Sequence, residues 1–151
     1  MSRATSSVLG VVLLVGVAVV AAATVGATVI TATPERPPRA ALDLSANAAA
    51  DRLTLVHRGG DRLRVQRLRV RVWIDGRPLA HQPPVPFFAA EGFEAGPTGP
   101  FNSAADGRWT AGEAATVTLA GTNEPSLRAG ASVRVHIYQG EYRVAALRAT
   151  A

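Results

Sequence analysis

The chain has 151 residues and a formal net charge of +5, from 16 basic residues, all of them arginine, and 11 acids. It contains no cysteine, which excludes disulfide bonds and thiolate chemistry. Aromatic residues make up only 5% of the chain, which argues against a base-stacking surface for single-stranded nucleic acid.

An uncharged, apolar segment begins the chain. No charged side chain lies between Arg3 and Glu35, and residues 8–30 are almost entirely Val, Leu, Ala, Ile and Gly. This run is longer than the roughly 7–15 apolar residues of a secretory signal and reaches the about 20 that cross a bilayer. Because it is apolar all round, it predicts a helix that is buried in lipid or among other helices.

A proline-rich stretch follows, and proline does not continue a helix. We therefore predict four parts: a leader peptide at residues 1–4, a hydrophobic transmembrane or assembly helix at 5–33, a linker at 34–39 and an extracellular β domain at 40–151.

The β domain shows the period-two alternation of half-buried strands. The pattern predicts strands over residues 41–45, 52–57, 63–74, 115–119, 131–138 and 142–147, with a glycine turn at 59–61. The apolar phase changes near Gln66 and Arg67, which predicts a bulge or a short turn there. Residues 78–114 predict a long irregular connection. The sequence thus predicts a mainly β fold, an immunoglobulin-like β-sandwich carried on a long N-terminal hydrophobic helix.

One arginine cluster dominates the charge pattern of the β domain. Its members are Arg62, Arg64, Arg67, Arg69 and Arg71. Residues 78–127 hold five acids and one base, so a contact with a neighbouring subunit's acidic loop, or with anionic surface material, is one interpretation. The other is the solvent face of an edge strand, where charge blocks unwanted pairing. No nucleic-acid partner is expected, because no aromatic residues are interleaved with these arginines.

No catalytic constellation is present in the sequence. His57, His81 and His136 lie in separate segments without metal-ligand spacing, so we predict surface or loop histidines, no metal site and no cofactor. Trp73 and Trp109 are interpreted as packing anchors. The chain is therefore predicted not to be an enzyme.

Two groups of motifs resemble the archaeal type IV pilins, especially the haloarchaeal ones. The first is Arg-Ala-Thr-Ser-Ser-Val-Leu-Gly at residues 3–10, followed by the unbroken apolar run; the family typically has a charged residue, a small residue and then Val-Ser-Pro-Val-Ile-Gly. The second is Leu-Val-His-Arg-Gly-Gly-Asp at 55–61 with Leu-Arg-Val-Arg-Val at 68–72 and Asp-Gly at 75–76. Trp109-x-x-Gly112-Glu113 and Leu127-x-x-Gly130 also fit.

The resemblance implies processing by a prepilin peptidase at Arg3, Ala4 and Thr5, with cleavage after Ala4. The subunit would be held in the cell membrane, and the pilus assembly machinery would then bring it into a homo- or hetero-oligomeric pilin filament on the cell surface. The helix would lie in the filament core and the β domain outside. The resemblance thus implies a major or minor pilin for adhesion.

Two alternatives remain open. One is a monomeric membrane-anchored binding module whose N-terminal helix is never cleaved. The other is a secreted binding module, cut by a signal peptidase near residues 21–23 or 26–27, where small residues permit cleavage.

Overall fold

The computed structural model describes the backbone of residues 2–30 and 36–151, and the side chains of 7–22 and 36–151. The chain separates into two compact units, Met1–Arg36 and Pro37–Ala151.

Among the described residues of the first unit, Ser2–Ile30 form one helix, α1. Its large apolar side chains between Val8 and Val20 are 57–75% exposed, so the helix presents apolar groups to its surroundings on every side. In the part of the chain that the structure describes, no helical stretch is both long enough and apolar enough to span a bilayer. The transmembrane helix predicted at residues 5–33 is therefore not confirmed, and both of its ends lie outside the described side chains.

The second unit is mainly β, as predicted. Its strands are β1 (Ala40–Asn47), β2 (Arg52–Gly60), β3 (Leu63–Arg64), β4 (Leu68–Ile74), β5 (Arg77–Pro78), β6 (Arg108–Trp109), β7 (Ala114–Thr118), β8 (Ser132–Gln139) and β9 (Tyr142–Thr150). They form a three-stranded sheet in the order β1-β2-β7, a four-stranded sheet in the order β5-β4-β8-β9 and a short β3-β6 pair. All the strand pairs are antiparallel.

One hydrophobic core joins the sheets. The period-two pattern places Leu53 and Leu55 of β2 and Val135 and Ile137 of β8 in it, each at most 1% exposed. Phe101 and Trp109 from the long connection are completely buried beside them. Burial of these side chains is the main stabilising term, at about 1.5–3 kcal/mol for each large apolar residue.

The predicted phase change near Gln66 is confirmed. A short 3₁₀ turn, Val65–Arg67, separates β3 from β4 and rotates the chain, so that Val65 and Leu68 both face the core. Without this turn, the arginines of β4 would point inward.

The predicted glycine turn at 59–61 is wrong in its position. Gly59 and Gly60 continue β2 and pair with Ala41 and Ala40. Gly60 has a φ of +97°, and a Cβ atom there would overlap the carbonyl oxygen of Arg39. Glycine is therefore needed for the close approach of two backbones, and the chain bends only after it, at Asp61.

Candidate binding surface

The sequence-predicted site residues fall into different parts of the molecule. The processing residues Arg3, Ala4 and Thr5 lie outside the described side chains. The 3₁₀ turn Val65–Arg67 separates Arg62 and Arg64 from Arg69 and Arg71 in the chain, and the two pairs line different cavities.

Arg62 and Arg64 belong to a loop surface near β3. Arg64 lies opposite Arg108 in the β3-β6 pair, which adds a third cation. These three arginines line a cavity of about 540 Å³ together with Gln66, Asp106 and Gly107. The Asp106 carboxylate sits in this lining, so the cavity has both signs of charge.

Arg69 and Arg71 belong to a second surface, the outward face of the four-stranded sheet. We call it the arginine face. It consists of Arg69, Arg71 and Trp73 from β4, Arg134, His136 and Tyr138 from β8, and Arg143 and Arg148 from β9. The register places them side by side, because directly paired residues of antiparallel strands point to the same side of a sheet.

Aromatic rings lie between the guanidinium groups of the arginine face. The Arg69 guanidinium lies over the Tyr138 ring, 4.9 Å from its centroid, in a cation–π contact. The Trp73 and His136 rings pack at 4.8 Å between centroids, and the His136 and Tyr138 rings at 6.3 Å. The Tyr138 ring thus packs against the Arg69 side chain, and the Trp73, His136 and Tyr138 rings pack against one another.

The charge of the arginine face is not neutralised within the described part of the chain. None of its arginines has an ion pair with a described carboxylate, and no outward position of β4, β8 or β9 is acidic. The Arg134 Nε atom is shielded from solvent and lacks a hydrogen-bond partner. Arg69, Arg71 and Trp73 also line a cavity of about 350 Å³, with Pro78, Gln82 and Tyr138. The face is suited to an anionic ligand.

The pKa of His136 reflects its burial and the positive charge of this face. Burial lowers its pKa below the ordinary 6.5, and the positive charges of Arg143, Arg134 and Arg148 lower it further. Arg71, Trp73 and Tyr138 are its other neighbours on the face.

We expect this lowered pKa to make the domain less stable in acid. As pH falls below about 6.5, the unfolded chain takes up a proton at His136 before the folded chain does, so the free energy of unfolding decreases until the folded pKa is reached. Urea unfolding at stepped pH values checks this prediction. His136→Gln should flatten the pH dependence in that window, and an unchanged dependence would contradict it.

The sequence-based interpretation missed most of the arginine face. Arg134, His136 and Tyr138 alternate with Val133, Val135 and Ile137, and this alternation was the available signal. Trp73, interpreted as a packing anchor, is only half-buried and belongs to the surface. The premise that no aromatic residues are interleaved with the arginines is wrong in three dimensions, because Tyr138 of the neighbouring strand β8 lies beside Arg69 and Trp73 follows Arg71 on the same face of β4.

A second cluster of side chains joins the motif segments at residues 55–61 and 109–113. His57 was predicted at the surface or in a loop, but it is completely buried, in phase with the inward residues of β2. Its ring packs edge-on against Trp109 at 5.8 Å between centroids, and its Nε2 atom lies 3.0 Å from the Asp61 carbonyl oxygen. The His57 amide and the Trp109 indole both donate to the Glu113 carbonyl oxygen.

Asp61 ties the same cluster to the start of the β domain. The Asp61 carboxylate accepts a hydrogen bond from the Arg39 amide at 2.9 Å, and the Asp61 amide donates to the Arg39 carbonyl oxygen. The motif residues His57, Asp61, Trp109 and Glu113 thus form one structural junction. Burial of His57 and Trp109, with hydrogen bonds to Asp61 and Glu113, gives this junction a packing role.

The three histidines do not converge. His81 is half-exposed in the loop, with Nε2 3.6 Å from a Glu91 carboxylate oxygen, whereas His136 lies on the arginine face. Among the described residues, no group of three or more His, Asp or Glu side chains is arranged to hold a metal ion.

No family model matches this chain, and a search of curated proteins returns no match. The resemblance to archaeal type IV pilins therefore depends on the motifs themselves and stays a prediction.

Proposed function

We propose that this chain is a structural subunit, a major or minor pilin, of an archaeal type IV pilus-like surface filament that serves adhesion. The observation that carries the proposal is the helix α1, whose described side chains are apolar and exposed on all sides. A helix of this kind needs apolar surroundings. Sister helices in a filament core supply them for every subunit at once.

The division of the chain into two units supports this proposal. The unit Pro37–Ala151 has its own hydrophobic core, so it does not need the helix for burial of its apolar residues. We propose that it is an immunoglobulin-like β-sandwich displayed on the outside of the filament. Before assembly, the N-terminal segment holds the subunit at the cell membrane, where the prepilin peptidase and the assembly machinery act on it.

The motif junction supports the resemblance. The pilin-like segments at 55–61 and 109–113 are far apart in the sequence, yet the buried rings of His57 and Trp109 contact each other, and both residues donate to the Glu113 carbonyl oxygen. Motif residues that contact one another in the folded chain support the resemblance better than separate matches along the sequence would. In this proposal the subunit has no catalytic activity of its own.

The first residue of the protein recovered from the cell surface tests the proposal. We expect mass spectrometry of the terminal peptide to give Thr5, because processing would follow Ala4. An intact N-terminus would favour the monomeric membrane-anchored module. A start beyond residue 23 would indicate a secreted domain, and either of these two results would reject the filament subunit.

A further inference from the structure

We propose that the arginine face binds an acidic polysaccharide, with a sugar carboxylate held between Arg69 and Arg71 and the sugar ring against Trp73. This inference names a ligand for the adhesion role. It depends on the β domain alone, so it holds whether or not the chain forms filaments.

The charge distribution identifies the ligand as an anion. Arg69, Arg71 and Arg134 have no carboxylate partner in the described part of the chain, and the described strands add no acid to their face. Guanidinium groups form forked hydrogen bonds with carboxylates, and their charge does not titrate at physiological pH. The face thus carries five arginine charges and one histidine whose pKa is lowered. Such a surface repels cations and attracts polyanions.

The dimensions of the face indicate a polymer. From Arg69 to Trp73 it extends about 13 Å along β4, and from β4 to β9 it extends about 10 Å across the strands. Arg134 and Arg148 are direct cross-strand neighbours, at the far side of the face from Arg69. A single small anion would reach only part of this set, whereas a chain with a charge on each unit reaches all of it.

The arrangement of the rings favours a sugar over a nucleic acid. Binding of single strands relies on successive open aromatic faces on which bases stack. Here Arg69 covers one face of Tyr138, and His136 packs against Trp73 at 4.8 Å, so the rings do not form such a series. Trp73 instead forms one wall of the 350 Å³ cavity, with Arg69 and Arg71 in the same lining. A cavity of this size accommodates one charged ring.

The test uses the full chain in a non-ionic detergent and polygalacturonate as the probe, with titration calorimetry at low and high salt. We expect polygalacturonate to bind and uncharged dextran not to bind. Raising the salt from 0.05 M to 0.5 M should weaken binding at least about tenfold, because the charges are exposed and are screened.

Paired substitutions locate the site. The double variant Arg71→Gln/Arg134→Gln should weaken binding at least about tenfold, since each charge-assisted hydrogen bond contributes substantially. The matched control Arg62→Gln/Arg64→Gln removes the same charge from the loop surface and should change affinity less than about twofold. If the first pair alters the circular dichroism spectrum, Arg143→Gln/Arg148→Gln replaces it, with the same expected loss.

Several results would overturn the inference. Equal weakening by both pairs would mean attraction by net charge without a site, and no binding of polygalacturonate would reject the ligand. Tighter binding of a thirty-residue oligothymidylate would make the face a nucleic-acid surface. Failure of this inference is separable from failure of the filament proposal, because the N-terminal residue is measured independently of any ligand.

Discussion

Replacement of Trp109 by alanine is expected to lower the free energy of unfolding of the β domain by about 4 kcal/mol. The side chain is completely buried and packs against Phe101 at 5.2 Å and His57 at 5.8 Å between ring centroids. Its indole N–H also donates to the Glu113 carbonyl oxygen at 3.1 Å. The alanine variant leaves a cavity in the core and loses the indole hydrogen bond to Glu113, and both changes are destabilising.

Urea unfolding of the full chain, followed by far-ultraviolet circular dichroism, measures this loss. The second tryptophan supplies the matched control, since Trp73 is half-buried on the arginine face and Trp73→Ala should cost roughly 1 kcal/mol. Trp109→Phe keeps most of the packing and should fall between the two variants. Equal losses for Trp109→Ala and Trp73→Ala would show that the motif junction does not anchor the core.

The longer strands were predictable because each carries a local signal, whereas the two-residue strands β5 and β6 were not predicted. In β4 and β8 the apolar residues occupy every second position, so the sequence of each strand by itself shows which side chains face the core. Even the change of phase near Gln66 was visible, since it shifts the alternation by one residue. The extension of β2 through Gly60 was not, because it depends on the contact with Arg39, a residue distant in the sequence.

The arginine face was not predictable from any one segment. Each strand shows only its own alternation, whereas the pairing of Arg71 with His136 and of Trp73 with Arg134 is fixed by register between strands. His57 illustrates the same limit at a single position. Its burial follows from Trp109 and Asp61, which the fold brings to it, and a polar residue in the inward phase of β2 was the only local sign.

If α1 packs in a filament core, as proposed, a charged side chain on this helix should prevent filament assembly. Substitution of Val12 by aspartate should abolish filament assembly while leaving the fold of the β domain unchanged. Val12 is 66% exposed in α1, so the introduced carboxylate removes no packing from the core of the β domain. Among sister helices it would be buried without a partner, which costs several kcal/mol in each subunit. A cost of about 3 kcal/mol already lowers an association constant about 100-fold.

Electron microscopy of sheared surface material, with immunoblots of the cell and surface fractions, measures this effect. Val12→Leu keeps the site apolar and should assemble as the parent chain does, so it controls for substitution as such. Filaments of Val12→Asp in normal numbers would place α1 outside the core and reject the assembly role of the helix. Loss of filaments, with the subunit still present in the cell fraction and its β domain still folded, is the expected result, because Val12 lies in α1 and the core of the β domain does not include it.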